Sequence, residues 1–235
     1  MQKQLNFLSD KGLVVRFKKS GNGKKVLFTF PGVGMSSNYF ENLFANDDSF
    51  QQFHFHLEVV KYDDDFDYVS AWKKLIIKLC AQYQIEDLTI VGASIGARLI
   101  GPLQELPCVK KVVLICPDGV YESLVMKIVT NSLLGQMIFK IGFKVFNQVF
   151  SKFPRLIKLK ERELLNWWKL FIHFKFTKGF DSRYSFLLAK KDFLISSKNV
   201  SNVLSKYIVN KVVFFDCGHF ELMRVGKKEI KKLIL

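Results

Sequence analysis

Gly92-Ala93-Ser94-Ile95-Gly96 sets one hydroxyl between two glycines, each two residues away from it. A serine hydroxyl becomes a nucleophile when a base lies within hydrogen-bond reach and donors face the oxyanion that its attack creates. The spacing suits both needs. At the apex of a sharp strand-to-helix turn the backbone is strained, and side chains two residues before and after the apex would collide; Gly92 and Gly96 remove them. Such an apex lifts the Ser94 hydroxyl above the sheet edge, while the amide of Ile95, in the first helical turn, points at whatever the serine attacks. The flanks agree, with β-branched Thr89-Ile90-Val91 before the turn and helix formers after it. The plainer alternative is a Gly/Ser turn whose hydroxyl only caps a helix.

A base and an acid are then required downstream. The chain has four histidines. His54 and His56 fall on one face of a strand pattern, where a structural histidine is commoner than a metal ligand. His219 instead follows a strand end, with Gly218 beside it. Asp192 follows the preceding strand, and an acid there could fix the imidazole tautomer and stabilise the imidazolium. Asp118 also follows a strand and stands as the alternative acid.

The elements that must position these groups alternate. Leu5–Ser9, Leu13–Lys19 and Lys24–Phe30 read as strands, a hairpin feeding an inner strand, with a turn at Ser20-Gly21-Asn22-Gly23. The inner strand runs into Pro31-Gly32-Val33-Gly34, a glycine-rich loop ahead of helical spacing at 38–44. Its free amides suit an oxyanion, or a phosphate, although neither Gly-Lys-Ser/Thr nor Gly-x-Gly-x-x-Gly is present. A strand over 53–60, a helix over 69–84, the strand before Ser94, a buried strand over 109–116 and strands at 184–189 and 211–215 complete the pattern. Repeated β-α-β units predict a doubly wound, mostly parallel sheet, whose chemistry gathers at the C-terminal strand ends. The aspartates Asp63, Asp64, Asp65 and Asp67 lack the spacing of a calcium loop and read as a solvated turn.

Composition bounds the rest. The chain of 235 residues, 49% of them hydrophobic, suffices for one α/β domain with a large core and has no linker dividing it. Cys80, Cys108, Cys116 and Cys217 are scattered without a Cys-x-x-Cys pair, which predicts a reduced, cytoplasmic protein. No signal-peptide core or membrane-length apolar run occurs. A net charge of +15 would draw nucleic acid, anionic membrane or acidic substrates alike, but no nucleic-acid reading module is present.

Residues 120–180 differ from the rest. Lys and Arg outnumber Asp and Glu there by 11 to 3, and Phe and Trp are frequent. Gln136, Lys140, Lys144, Asn147 and Ser151 form a narrow polar stripe on an otherwise apolar helix, and a second helix is centred near Leu164 to Ile172. The pattern predicts a helical cap inserted between 1–119 and 181–235. It packs on the core, roofs an apolar substrate site, or rests on an anionic membrane surface.

With Ser94, Asp192 and His219 in that order, the chain resembles the α/β-hydrolase superfamily, from the N-terminal hairpin to the Gly218-His219 loop. The resemblance implies a catalytic triad of Ser94, Asp192 and His219, oxyanion amides at Ile95 and Val33, and no cofactor or metal. It implies a serine hydrolase of the esterase or thioesterase kind, acting on a small-molecule ester or thioester with an apolar acyl group. The other reading is a catalytically weak relative binding anionic lipid or a protein partner through its basic aromatic cap. The family's His-Gly in the first loop is Pro31-Gly32 here, and its His or Tyr before the serine is Ala93. Serine at the elbow, where aspartate would serve dehalogenase or epoxide hydrolase chemistry, points to acyl transfer. Oligomeric state has no sequence signal.

Overall fold

The computed structural model describes residues 2–5, 13–32, 35, 38–45, 49–59, 65–121 and 173–235. Eight strands form one sheet in the order β1-β2-β4-β3-β5-β6-β7-β8. They are β1 (Gln2–Leu5), β2 (Leu13–Ser20), β3 (Lys25–Phe30), β4 (Phe50–Val59), β5 (Leu88–Ala93), β6 (Val109–Ile115), β7 (Tyr184–Ala189) and β8 (Lys211–Phe215). β2 pairs antiparallel with both β1 and β4, and every pairing from β4 through β8 is parallel. The doubly wound, mostly parallel expectation therefore holds. Of the strand expected at Leu5–Ser9 only Leu5 is described; it closes β1, which pairs residue by residue with Val15 to Lys18 of β2. β2 and β3, separated by a short turn, are not neighbours, since β4 lies between them.

The inner strands alternate between two buried faces, the period of two that a sheet covered on both sides requires. Val26, Phe28, Phe30, Ile90, Val112, Leu114, Phe186 and Leu188 pack on one face with Trp72, Ile76 and Leu79 of α2 (Tyr68–Gln82) and Val200 and Leu204 of α3 (Ser197–Leu204). Leu27, Val91, Val113, Ile115 and Leu187 pack on the other. There they meet Phe40 and Phe44 of α1 (Asn38–Phe44), Leu222 of α4 (His219–Val225) and Ile230 and Ile234 of α5 (Lys227–Ile234). Asp67 caps α2, its carboxylate accepting from the Ser70 amide at 3.0 Å. That contact, together with its own capping geometry, gives Asp67 a structural role; Asp63 and Asp64 lie outside the described residues.

Ser94–Leu103 coils as a 3₁₀ helix, tighter than the α-helix that the pattern suggested. Gly96, Gly101 and Pro102 are poor α-helix formers, and the close approach of its neighbours favours the narrower coil. A Cβ on Gly101 would sit 2.2 Å from the Lys175 carbonyl oxygen, so residue 101 must be glycine for the chain leading into β7 to pass. The expected cap helices and the roof over the site fall on 122–172, outside the described residues, as does the 6–9 portion of the expected first strand.

Trp72, fully buried, ties α2 to this coil by donating its indole N–H to the Leu99 carbonyl at 2.9 Å. Trp72→Phe keeps an aromatic ring but leaves that buried carbonyl without its donor. It should lower unfolding free energy by about 1–3 kcal/mol, read as a lower urea midpoint at unchanged slope.

Candidate active site

Ser94 sits immediately beyond β5 at φ +51°, in the left-handed region that L-residues rarely occupy. Both flanking glycines are sterically required. A Cβ on Gly92 would lie 2.6 Å from Ile100 Cδ1 and 2.8 Å from Ala97 Cα; one on Gly96 would lie 2.4 Å from the Pro31 oxygen and 2.5 Å from the Phe30 oxygen. The turn is thus pressed against the end of β3 on one side and its own helix on the other. The Asp118 amide donates to the Ser94 carbonyl at 3.1 Å, bracing the apex from the end of β6.

Asp192 lies three residues beyond β7 and His219 opens α4 beyond β8. The two loops are laced together, with the Lys190 amide donating to Phe215 O at 2.8 Å and the Lys191 amide to Cys217 O at 3.0 Å. Against this frame His219 Nε2 is 3.1 Å from Ser94 Oγ, and His219 Nδ1 is 2.6 Å from Asp192 Oδ2. The three side chains named from the sequence therefore meet in one hydrogen-bonded chain. The other carboxylate oxygen of Asp192 accepts from the amides of Leu194 at 2.9 Å and Ile195 at 2.8 Å, which orients the carboxylate toward the ring.

Burial alone would raise the Asp192 carboxyl, but its hydrogen bond and charge interaction with His219 and the two amides outweigh that, and the group is held below the ordinary range. An ionised Asp192 can only accept, so Nδ1 carries a proton, and in the neutral imidazole the Nε2 lone pair faces the serine. Phe220 and the imidazole meet edge to face, ring centroids 5.1 Å apart, and His219 is buried.

Asp118, the alternative acid, is engaged elsewhere. Arg98 Nε and Nη2 donate to its two oxygens at 2.7 and 3.2 Å, a forked pair in which Arg98 is 4% exposed. Arg98 Nη1 also reaches the Phe174 carbonyl at 3.5 Å. The pair fastens the elbow helix to the chain on both sides of 122–172. Nothing in the residue pattern announces it, because a helix arginine and a loop aspartate twenty positions apart look like two solvated charges.

Ile95 follows Ser94 at the start of the coil, where the first amides have no intrahelical acceptor. Gly32 faces the serine: a Cβ there would lie 3.0 Å from Ser94 Cβ. The turn it opens is closed by the Met35 amide donating to Gly32 O at 3.1 Å. Val33, within that turn, lies outside the described residues. His54 is a buried structural histidine, its Nδ1 2.9 Å from Thr29 Oγ1 and its Nε2 3.1 Å from Gln52 Oε1. Burial lowers its pKa to about 4, keeping it neutral.

Cys116, in the sequence only one of four scattered thiols, stands at φ +42° beyond β6. Its sulfur lies with a ligand atom of Asp192 and one of His219 in a cluster spanning no more than 4.8 Å, the one group among the described residues with the makings of a metal site. Burial and the nearby Asp192 charge push this thiol well up, so it stays protonated.

The two aspartates should separate in stability measurements. Asp118→Asn leaves Arg98 a buried cation without its counter-charge and should cost on the order of 3 kcal/mol at neutral pH. Asp192, with its native pKa below the unfolded value near 4, contributes stability that is complete above about pH 4 and is lost as pH falls through the lowered native value. Asp192→Asn should remove that share of the acid slope in urea unfolding from pH 6 to 2.

No family model matches the sequence, and a comparison with curated proteins returns no relative. Solved structures do match. An α/β hydrolase enzyme from a Medee basin deep-sea metagenome library superposes with TM-score 0.66 at 12% identity, covering 98% of this chain and 95% of that one. A lipase-esterase related protein from Clostridium acetobutylicum gives 0.63 at 17% identity over 94% and 99%. A thermophilic esterase from Thermogutta terrifontis gives 0.61 at 11% identity over 100% of both chains. Superposition over nearly the whole of each chain identifies the architecture: the protein has the α/β-hydrolase fold.

Proposed function

We propose that the protein is a serine hydrolase that cleaves a carboxylic ester or thioester with an apolar acyl group through an acyl-enzyme. The observation that carries this reading is the continuous chain of Ser94 Oγ, His219 Nε2, His219 Nδ1 and Asp192 Oδ2 at 3.1 and 2.6 Å. In the proposed reaction Ser94 Oγ attacks the carbonyl carbon while His219 Nε2 takes its proton. The Asp192 carboxylate, close to Nδ1, stabilises the resulting imidazolium. His219 then gives the proton to the departing alcohol or thiol. Water enters and the same base activates it to release the acid, restoring Ser94. The amides of Ile95 and Val33 hold the oxyanion through both tetrahedral intermediates.

The acyl preference rests on the apolar surroundings of the triad. Phe220 lies on the base, Phe193 and Leu194 follow Asp192 and are exposed at 71% and 47%, Ile95 follows the serine, and the Met35 sulfur lies 3.3 Å from the Gly32 amide. We propose that residues 120–180 form the cap that roofs this surface. Structural neighbours whose own names are esterase and lipase support a small ester as the substrate class. Among the described residues no helix is long and apolar enough to cross a membrane.

The decisive experiment is labelling by a fluorophosphonate, which reacts with an activated serine and not with an inert one. Wild-type protein should be labelled at Ser94; Ser94→Ala should lose the label and about 10³-fold or more of p-nitrophenyl ester turnover with its melting temperature retained. An unlabelled, folded wild type would leave the catalytically weak reading in its place. Asp192→Asn should cut turnover more than Asp118→Asn does when the two are compared per folded molecule.

Acyl length tests the specificity. Each buried methylene contributes about 0.8 kcal/mol, so kcat/KM should rise severalfold per step from two toward about six carbons, then level. Burial survives added salt, whereas steering of anionic substrates by the basic surface does not. A series flat in chain length, with only anionic esters weakened in salt, would overturn the apolar-acyl assignment.

A further inference from the structure

Cys80, at the C-terminal end of α2, and Cys108, one residue before β6, belong to no part of the site. Their sulfurs are 3.8 Å apart and share a hydrogen bond. Both residues are free and half-buried, so solvent-borne reagents reach them, while Cys116 and Cys217 are buried. The backbone around the pair is anchored on both sides: Cys80 O accepts from the Ile85 amide and Cys108 O from the Leu88 amide, each at 2.8 Å. Two thiols in van der Waals contact on anchored backbone need only a sulfur shift of less than about 2 Å to reach bonding distance. We propose that Cys80 and Cys108 form an oxidative modification site, at which a hydroperoxide converts the dithiol to an intramolecular disulfide.

The chemistry divides unevenly between the two sulfurs. The hydrogen bond from Cys80, with Lys110 nearby, lowers the Cys108 thiol, and the same interaction with burial raises Cys80. Lys110, two residues along from Cys108, favours the thiolate there whether or not Cys80 is present, and burial disfavours it at Cys80, so Cys108 is assigned as the attacking thiol and Cys80 as the resolving one. Cys108 sulfur attacks one peroxide oxygen, the O–O bond breaks, and water or an alcohol leaves, giving a sulfenic acid. Cys80 sulfur then attacks that sulfur, the S–O bond breaks, and a second water leaves with the Cys80 proton. Two thiols and one peroxide yield one disulfide; the thiols lose two electrons and the peroxide gains them.

The position gives the bond a consequence. The ring that it closes runs from residue 80 to 108 and contains the whole of β5, the Ser94 elbow and the 3₁₀ coil. Cys108 lies at the N-terminal end of β6, the opposite sheet edge from Ser94. Oxidation therefore restrains the unfolded chain across the segment that bears the proposed nucleophile without touching the triad.

The test is titration of the reduced, full-length protein with hydrogen peroxide. The expected result is a mass loss of 2 Da, a fall in thiols counted after denaturation from four to two, a peptide joining residues 80 and 108, and a melting temperature raised by several degrees. All should reverse with dithiothreitol. Cys80→Ala should instead trap a sulfenic acid on Cys108 that reacts with dimedone, with no rise in melting temperature. Cys108→Ser, the independent variant should Cys80→Ala fold poorly, should show no mass loss and no dimedone adduct at Cys80. Four thiols retained under conditions that oxidise free cysteine, or a bridge mapped to Cys116 and Cys217, would overturn the proposal. The readouts are mass and stability, so they hold whether or not the protein hydrolyses esters.

Discussion

The steric closure around Ser94 is the constraint on which the rest of the structure depends. A non-glycine residue at φ +51° costs on the order of 1–3 kcal/mol and persists only when its surroundings leave no alternative. Here they leave none. Gly96 lies against the last carbonyls of β3, Gly92 against Ala97 and Ile100, and the Ser94 carbonyl is held by the Asp118 amide. Relaxing the serine would require β3, β5 and the coil to separate, and those elements share the apolar core that contains Phe30, Ile90 and Ile100. The core thus holds the strain, and the strain presents the hydroxyl.

The histidine and the acid are placed by a different device. Neither is strained; each stands on a loop whose direction follows from strand pairing. Because β7 and β8 run parallel in register from Ser185↔Lys211 to Ala189↔Phe215, their C-terminal ends emerge side by side. The amides of Lys190 and Lys191 continue that ladder into the loops, so Asp192 and His219 approach at a separation set by the sheet and not by flexible side chains. The pair is thereby preorganised, which is what the proposed reaction would require as charge develops on the imidazole.

Among the described residues, buried charge is concentrated in two places. Beside Ser94 the Asp192 carboxylate is satisfied by two amides and one imidazole, a set that favours the ionised acid. At Arg98 and Asp118 a forked ion pair binds the elbow coil to the chain around Gly119, whose φ of +89° brings its backbone against the arginine stem. Asp118, also at a strand end, has both of its oxygens occupied by a guanidinium that cannot lose its proton, whereas Asp192 meets the histidine.

Local sequence determined a good deal of this. Gly92-x-Ser94-x-Gly96 specifies the elbow because steric exclusion at two positions is a short-range fact, and the β-branched runs specify the inner strands because a two-sided sheet demands apolar residues in succession. The order Ser94, Asp192, His219 was legible for a related reason: in a parallel sheet, strand ends on one edge are also loop starts in the sequence. The tertiary structure alone decided the rest. Placing β4 between β2 and β3 is a matter of sheet order, which neighbouring residues do not encode. The 3₁₀ coil after Ser94 reflects crowding by chain segments far away, Lys175 among them. That Asp192 meets the histidine while Asp118, at another strand end, pairs with Arg98 is visible only in the packed chain. The contact between Cys80 and Cys108 likewise joins residues 28 positions apart. Each of these is a meeting of groups remote along the chain, and only packing brings them within range.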